Sequence, residues 1–97
     1  MCGIIGIISS KEVSSRIVNS LKKLEYRGYD SAGIATLVDG NINEVKCEGR
    51  VDVLEKDILK FNLKGDIGIG HVRWATHGKP SKVNAHPHSS EQVSVVH

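Results

Sequence analysis

Cys2 follows Met1 directly. Methionine aminopeptidases remove the initiator when the second residue is small, and cysteine is small enough. The chain is therefore expected to begin with a residue that carries both a thiol and a free α-amine. The reference pKa values are about 8.5 for the thiol and about 7.7–8.0 for the amine. Such an amine is partly neutral at pH 7 and can take the thiol proton, directly or through a water, so nucleophile and base sit on one residue. Many chains open Met-Cys without any such chemistry, and the surroundings have to decide.

Other reactive types invite simpler readings. His77, His86, His88 and His97 together with a cysteine suggest zinc, yet their spacing matches no closed zinc motif, and Pro87 interrupts the closest pair. They read as loop histidines that hydrogen-bond, and no metal is expected. Gly65, Gly68 and Gly70 precede a strand rather than a helix N-terminus, so they are not a dinucleotide fingerprint. Cys47 lies in the polar stretch Glu44-Val45-Lys46-Cys47-Glu48 and is expected to pack or sit exposed, unbridged to Cys2.

The elements that must position these groups are legible in outline. Gly3–Ile8 is a short apolar run, expected as a buried strand. Ser9 and Glu12 form a capping box that predicts a helix from near Lys11. Val13, Ile17, Leu21 and Leu24 give it one apolar face, and Gly28 stops it. Tyr26–Ser31 reads as loop, with Asp30 and Ser31 as turn formers. Ala32–Val38 and Ile42–Cys47 read as a hairpin around Asp39-Gly40. Val51, Leu54, Ile58 and Leu59 suggest a second helix ending near Asn62. Ile67, Ile69 and His71 alternate with Gly68, Gly70 and Val72, which predicts a strand with close backbone approaches. A long loop, 76–90, holds both prolines, and Gln92–His97 alternates as a last strand. The class is α+β.

Composition narrows the function. The 97 residues have room for one domain. Thirteen basic and eleven acidic residues leave a scattered net charge of +2. That argues against a nucleic-acid footprint or a membrane-surface helix. No apolar run approaches the roughly 20 residues that span a bilayer. Ile4–Ile8 lacks the basic flank and cleavage site of a signal peptide, so a cytoplasmic location is expected.

Four stretches carry a resemblance: Met1-Cys2-Gly3-Ile4-Ile5-Gly6-Ile7, Leu24-Glu25-Tyr26-Arg27-Gly28-Tyr29-Asp30-Ser31-Ala32-Gly33-Ile34-Ala35, Arg73-Trp74-Ala75-Thr76-His77-Gly78 and Asn84-Ala85-His86-Pro87-His88. The first resembles the opening of the class II glutamine amidotransferases, the cysteine branch of the N-terminal nucleophile hydrolases. Together they look like the glutamine–fructose-6-phosphate aminotransferases (isomerizing), also called glucosamine-6-phosphate synthases. The resemblance runs along essentially the whole chain and covers the first part of that family's glutaminase domain.

It implies an αββα sandwich, here truncated to two helices and incomplete antiparallel sheets. It implies glutamine and fructose 6-phosphate as substrates, no cofactor, and a homo-oligomer in the full-length protein only. Cys2 would be the catalytic nucleophile, forming a γ-glutamyl thioester and releasing ammonia that aminates the sugar phosphate. Arg73 resembles the family's clamp on the glutamine α-carboxylate, a task that suits a forked guanidinium, against the simpler reading of a surface ion pair. Thr76 and His77 correspond to a mobile loop over the glutamine, and Gly78 to its hinge. Trp74, the single tryptophan, would bind substrate or be an ordinary core aromatic. Arg27 would favour the thiolate, or merely complement a helix end. His97 would support the site together with Arg27 and Gly78.

The family continues after His97 with an Asn-Gly pair that supplies the oxyanion hole, then with an aspartate for the substrate amine and a sugar-phosphate isomerase domain. None of these lies within residues 1–97, so this length alone is expected to be inactive and marginally stable. A non-catalytic decayed fragment, a glutamine-binding module and a different class II amidotransferase are the alternatives.

Overall fold

The structure is a computed structural model, and it describes residues 2–75 and 77–97, the side chain of Arg27 excepted. The element order is β1 (Gly3–Ile8), α1 (Ser14–Leu24), a 3₁₀ turn (Glu25–Arg27), β2 (Ser31–Val38), β3 (Asn41–Glu48), α2 (Val51–Phe61), β4 (Ile67–Arg73), β5 (His88–Ser89) and β6 (Ser94–Val95). Strands β1 to β4 form one antiparallel sheet in the order β1-β4-β2-β3, and β5 pairs with β6. The class is α+β, with two helices and antiparallel sheets.

Both helices pack on one face of the four-stranded sheet. Val13, Ile17 and Leu21 of the predicted apolar stripe are fully buried there, with Ile34, Val51, Leu54 and Val72. The predicted glycine alternation in β4 has a packing cause. A Cβ at Gly70 would sit 2.5 Å from Ile17 Cγ2, and one at Gly68 would sit 2.7 Å from Ile17 Cδ1. Without side chains there, α1 crosses the sheet closely.

The helix start differs from expectation. No side chain caps α1, and it begins at Ser14 rather than near Lys11. Ser9 Oγ instead accepts from the Lys11 N–H and from Arg16 Nη1. The chain before the helix is tied to the loop preceding β4, because Val13 N–H donates to the Gly65 carbonyl at 2.9 Å and Ser14 Oγ to the Leu63 carbonyl at 3.1 Å. The Ser9 N–H, which a capping box would pair with Glu12, donates instead to the Asp66 carbonyl at 2.8 Å.

The hairpin turn falls at Asp39-Gly40 with φ of 51° and 79°, and α2 ends at Asn62 in the left-handed conformation. The expected last strand over Gln92–His97 shrinks to Ser94–Val95, which pairs only with His88–Ser89.

Candidate active site

Site residues come from three segments: the residue before β1, the residue before β2, and the end of β4 with the run that follows it. Gly3 of β1 is in register with Val72 of β4, so Cys2 lies beside the end of β4. Its Sγ is 3.8 Å from the Trp74 carbonyl oxygen and accepts from the Trp74 N–H at 3.5 Å. The thiol is partly exposed and unbridged, whereas Cys47 is buried in the core. Burial pushes the Cys47 thiol up to about 11, which marks it as an inert packing group.

Arg73 ends β4 and is 7 % exposed, which rules out an ordinary surface ion pair. Its Nη1 donates to the Lys79 carbonyl at 3.3 Å and lies 3.7 Å from Asp30 Oδ1. Its Nη2 donates to the Gly78 carbonyl at 3.1 Å and to the His77 carbonyl. Here the guanidinium therefore faces loop carbonyls and one carboxylate. Gly78 sits in that loop with a φ of +78°. Trp74 is 48 % exposed, so it is no core aromatic; its indole lies against Gly28, where a Cβ would meet Cε3 at 2.9 Å. His77 is exposed. Thr76 and the Arg27 side chain lie outside the described residues.

The imidazoles of His86, His88 and His97 share the cleft with the thiol, and that of His71 packs against His86. His71 of β4 lies 4.3 Å, centroid to centroid, from His86, which lies 4.4 Å from His88 and 4.6 Å from His97. His71 Nε2 is 2.7 Å from the His97 carbonyl oxygen. The Nδ1 atoms of His71 and His86 are buried with no hydrogen-bond partner among the described residues. Burial, with neighbouring imidazoles, lowers the pKa of His86 to about 4. Burial also lowers that of His71, and the charge of Arg73 adds to the effect. Both rings are neutral at pH 7. Among the described residues no three His, Cys, Asp or Glu side chains are arranged to hold a metal ion.

Register makes room for this cluster. Gly33 of β2 is the cross-strand neighbour of His71. A Cβ there would sit 2.0 Å from the His86 carbonyl oxygen, so only glycine lets the segment around His86 lie flat on the sheet. Cys2, Arg73, Trp74, His77, His86 and His97 line a cleft of about 460 Å³. A groove of about 480 Å³ between β3 and the end of α2 holds neither a thiol nor an imidazole.

Two further groups stand at this site that their local sequence does not single out. Asp30, read as a turn former, accepts from the Ala75 N–H and faces Arg73. The available signal was its place before β2, which has a strand on either side. His71 carries no signal beyond its place in an alternating strand, yet it faces away from the helices with Ile69 and is fully buried.

No family model matches the chain. Curated proteins do. The chain is 59 % identical over 99 aligned positions to glutamine–fructose-6-phosphate aminotransferase (isomerizing) of Clostridium acetobutylicum. Identities are 58 % over 97 residues for the protein of that name from Brucella abortus and 56 % for that from Bradyrhizobium diazoefficiens. Each match covers the whole chain, and the chain spans about 16 % of the length of these relatives. No helix is long and apolar enough to cross a membrane among the described residues. Along its whole length the chain shares common ancestry with the N-terminal part of the glutamine–fructose-6-phosphate aminotransferases.

Proposed function

We propose that residues 1–97 form the first part of a glutaminase domain, and that the protein is a cytoplasmic aminotransferase taking glutamine and fructose 6-phosphate. With Met1 removed, the α-amine of Cys2 takes the thiol proton and Sγ attacks the side-chain amide carbon of glutamine. The C–N bond breaks, the departing nitrogen is protonated, and ammonia leaves. Water then hydrolyses the γ-glutamyl thioester to glutamate and returns the thiol. The ammonia aminates the sugar phosphate elsewhere in the whole protein, a homo-oligomer.

Arg73 holds the α-carboxylate of glutamine, with Trp74, Thr76 and His77 around the substrate and Arg27, Gly78 and His97 in support. A buried guanidinium is suited to this, because it holds both oxygens of a carboxylate at once. The loop carbonyls it now faces are neutral acceptors that an anion outcompetes.

The observation that carries this reading is the partly exposed Cys2 thiol opening on the same cleft as the Arg73 guanidinium. The test uses the protein as its own cells make it. It is expected to release glutamate and ammonia in equal amounts from glutamine, and to form glucosamine 6-phosphate when fructose 6-phosphate is added. Cys2→Ala abolishes both, and normal turnover by that variant ends the assignment.

A further inference from the structure

The proposed reaction leaves the carboxylate of Asp30 without a part. Asp30 stands just before β2, the strand that runs between β4 and β3. Its backbone is fastened on both sides. Its N–H donates to the Arg73 carbonyl at 2.8 Å, and its carbonyl accepts from the Gly49 N–H at 2.8 Å. Its side chain is 10 % exposed, so the carboxylate depends on protein donors rather than on water.

Those donors are all site groups or their neighbours. Oδ1 accepts from Ser31 Oγ at 2.8 Å and lies 3.7 Å from Arg73 Nη1. Oδ2 accepts from the Ala75 N–H. That N–H belongs to the same peptide unit as the Trp74 carbonyl, whose oxygen is 3.8 Å from Cys2 Sγ. One carboxylate thus faces the guanidinium with one oxygen and, with the other, fixes the peptide that lies against the thiol.

We infer that Asp30 is a positioning residue of the glutamine site, setting the distance and angle between the Arg73 guanidinium and the Cys2 thiol. The inference rests on the roles proposed above for Cys2 and Arg73. A glutamine held by its α-carboxylate reaches the thiol only if those two anchors are correctly spaced, and a misplacement of about 1 Å costs on the order of a hundredfold in rate. A buried ion pair is weak evidence for a contribution to stability, so packing alone does not account for a carboxylate here.

The test compares two reagents on Cys2 in the protein as its cells make it. One is 6-diazo-5-oxo-L-norleucine, which carries the α-amino-acid end of glutamine; the other is iodoacetamide, which has no α-carboxylate. Asp30→Asn is expected to lower kinact/KI for the diazoketone by about tenfold to a hundredfold, while labelling by iodoacetamide stays within about twofold. Asp30→Glu restores the charge and recovers part of the loss, at an unchanged thermal midpoint. A parent-like preference for the diazoketone in folded Asp30→Asn overturns the inference. If that variant does not fold, Ser31→Ala takes its place, because it removes one donor from Oδ1 and keeps the carboxylate. A loss of about threefold or more supports the inference, and an unchanged preference overturns it. A parent protein with no preference for the diazoketone defeats the reading of the glutamine site itself, so the two failures are told apart.

Discussion

The two faces of the four-stranded sheet are built from alternate residues of the same strands and are held in different ways. On the helix face, Ile34 and Val72 meet Ile17, Leu21 and Leu54, all fully buried and apolar. On the opposite face, His71 and Arg73 from β4 and His86 from the following loop are buried polar groups. Ile4 on that face is 50 % exposed and Ile8 82 %. The first face is stabilised by burial of area, which is non-directional. The second depends on matched partners and on protonation state. One face therefore serves as a base that conditions do not disturb, and the other as a surface that ligands and protons can alter.

The largest test of that division is a cavity on the helix face. Leu21 is fully buried, and Leu21→Ala is expected to cost about 2–5 kcal/mol. The loss should appear in urea melts at every pH between 5 and 8, with the diazoketone labelling of Cys2 unchanged in the folded protein. A variant that loses labelling while keeping stability would show that the two faces are not separable.

The next effect belongs to the histidine face and depends on pH. The pKa of His86 is lowered from 6.5 to about 4, chiefly by burial and then by the facing imidazoles of His71, His88 and His97. The unfolded chain thus binds the proton before the folded one does. Stability from this group is complete above the unfolded value of 6.5 and is lost as pH falls through the window between 6.5 and about 4. At about 1.4 kcal/mol per pH unit the loss is bounded by about 3.5 kcal/mol. His86→Phe should flatten the acid limb of a stability-versus-pH curve. An equally steep limb in that variant would move the acid sensitivity elsewhere.

How much of this was legible follows the same division. The apolar stripe of α1, the Asp39-Gly40 turn and the glycines of β4 are local patterns that tertiary packing reinforces, so they read directly from the chain. The start of α1 did not, because Gly65 and Leu63 supply backbone carbonyls from fifty residues away in sequence. Cys2 and Arg73 stood out by type and by the motifs around them, and they do share one cleft. Asp30 did not stand out, because nothing in Tyr29-Asp30-Ser31 reveals that a carboxylate before a central strand reaches both Arg73 and the amide of Ala75. Burial of polar groups by long-range partners leaves no period in the sequence.

Gly33 sharpens the comparison at the next smaller scale, since it sits on the histidine face of β2 with the His86 carbonyl where a Cβ would be. Gly33→Ala must push that backbone away, at a cost of about 1–3 kcal/mol for overpacking. The strain should be local: His86 leaves His71, and its pKa returns toward 6.5, readable from its ring proton shifts during an acid titration. An unchanged titration would mean that the sheet, not the loop, yields.

The smallest expected effect lies outside both faces. Lys22 of α1 and Glu55 of α2 form a 2.8 Å ion pair, with side chains 39 % and 41 % exposed. The hydrogen bond to Glu55 raises the pKa of Lys22. Exposed pairs of this kind offset much of their attraction by immobilising two long side chains and are screened by salt. Lys22→Met keeps most of the aliphatic stem and removes the charge. Its thermal midpoint should match the parent's in both low and high salt. A clear drop that vanishes at high salt would mean that the helix layer is held by surface charge as well as by area, and that it shares the sensitivity to conditions assigned above to the histidine face alone.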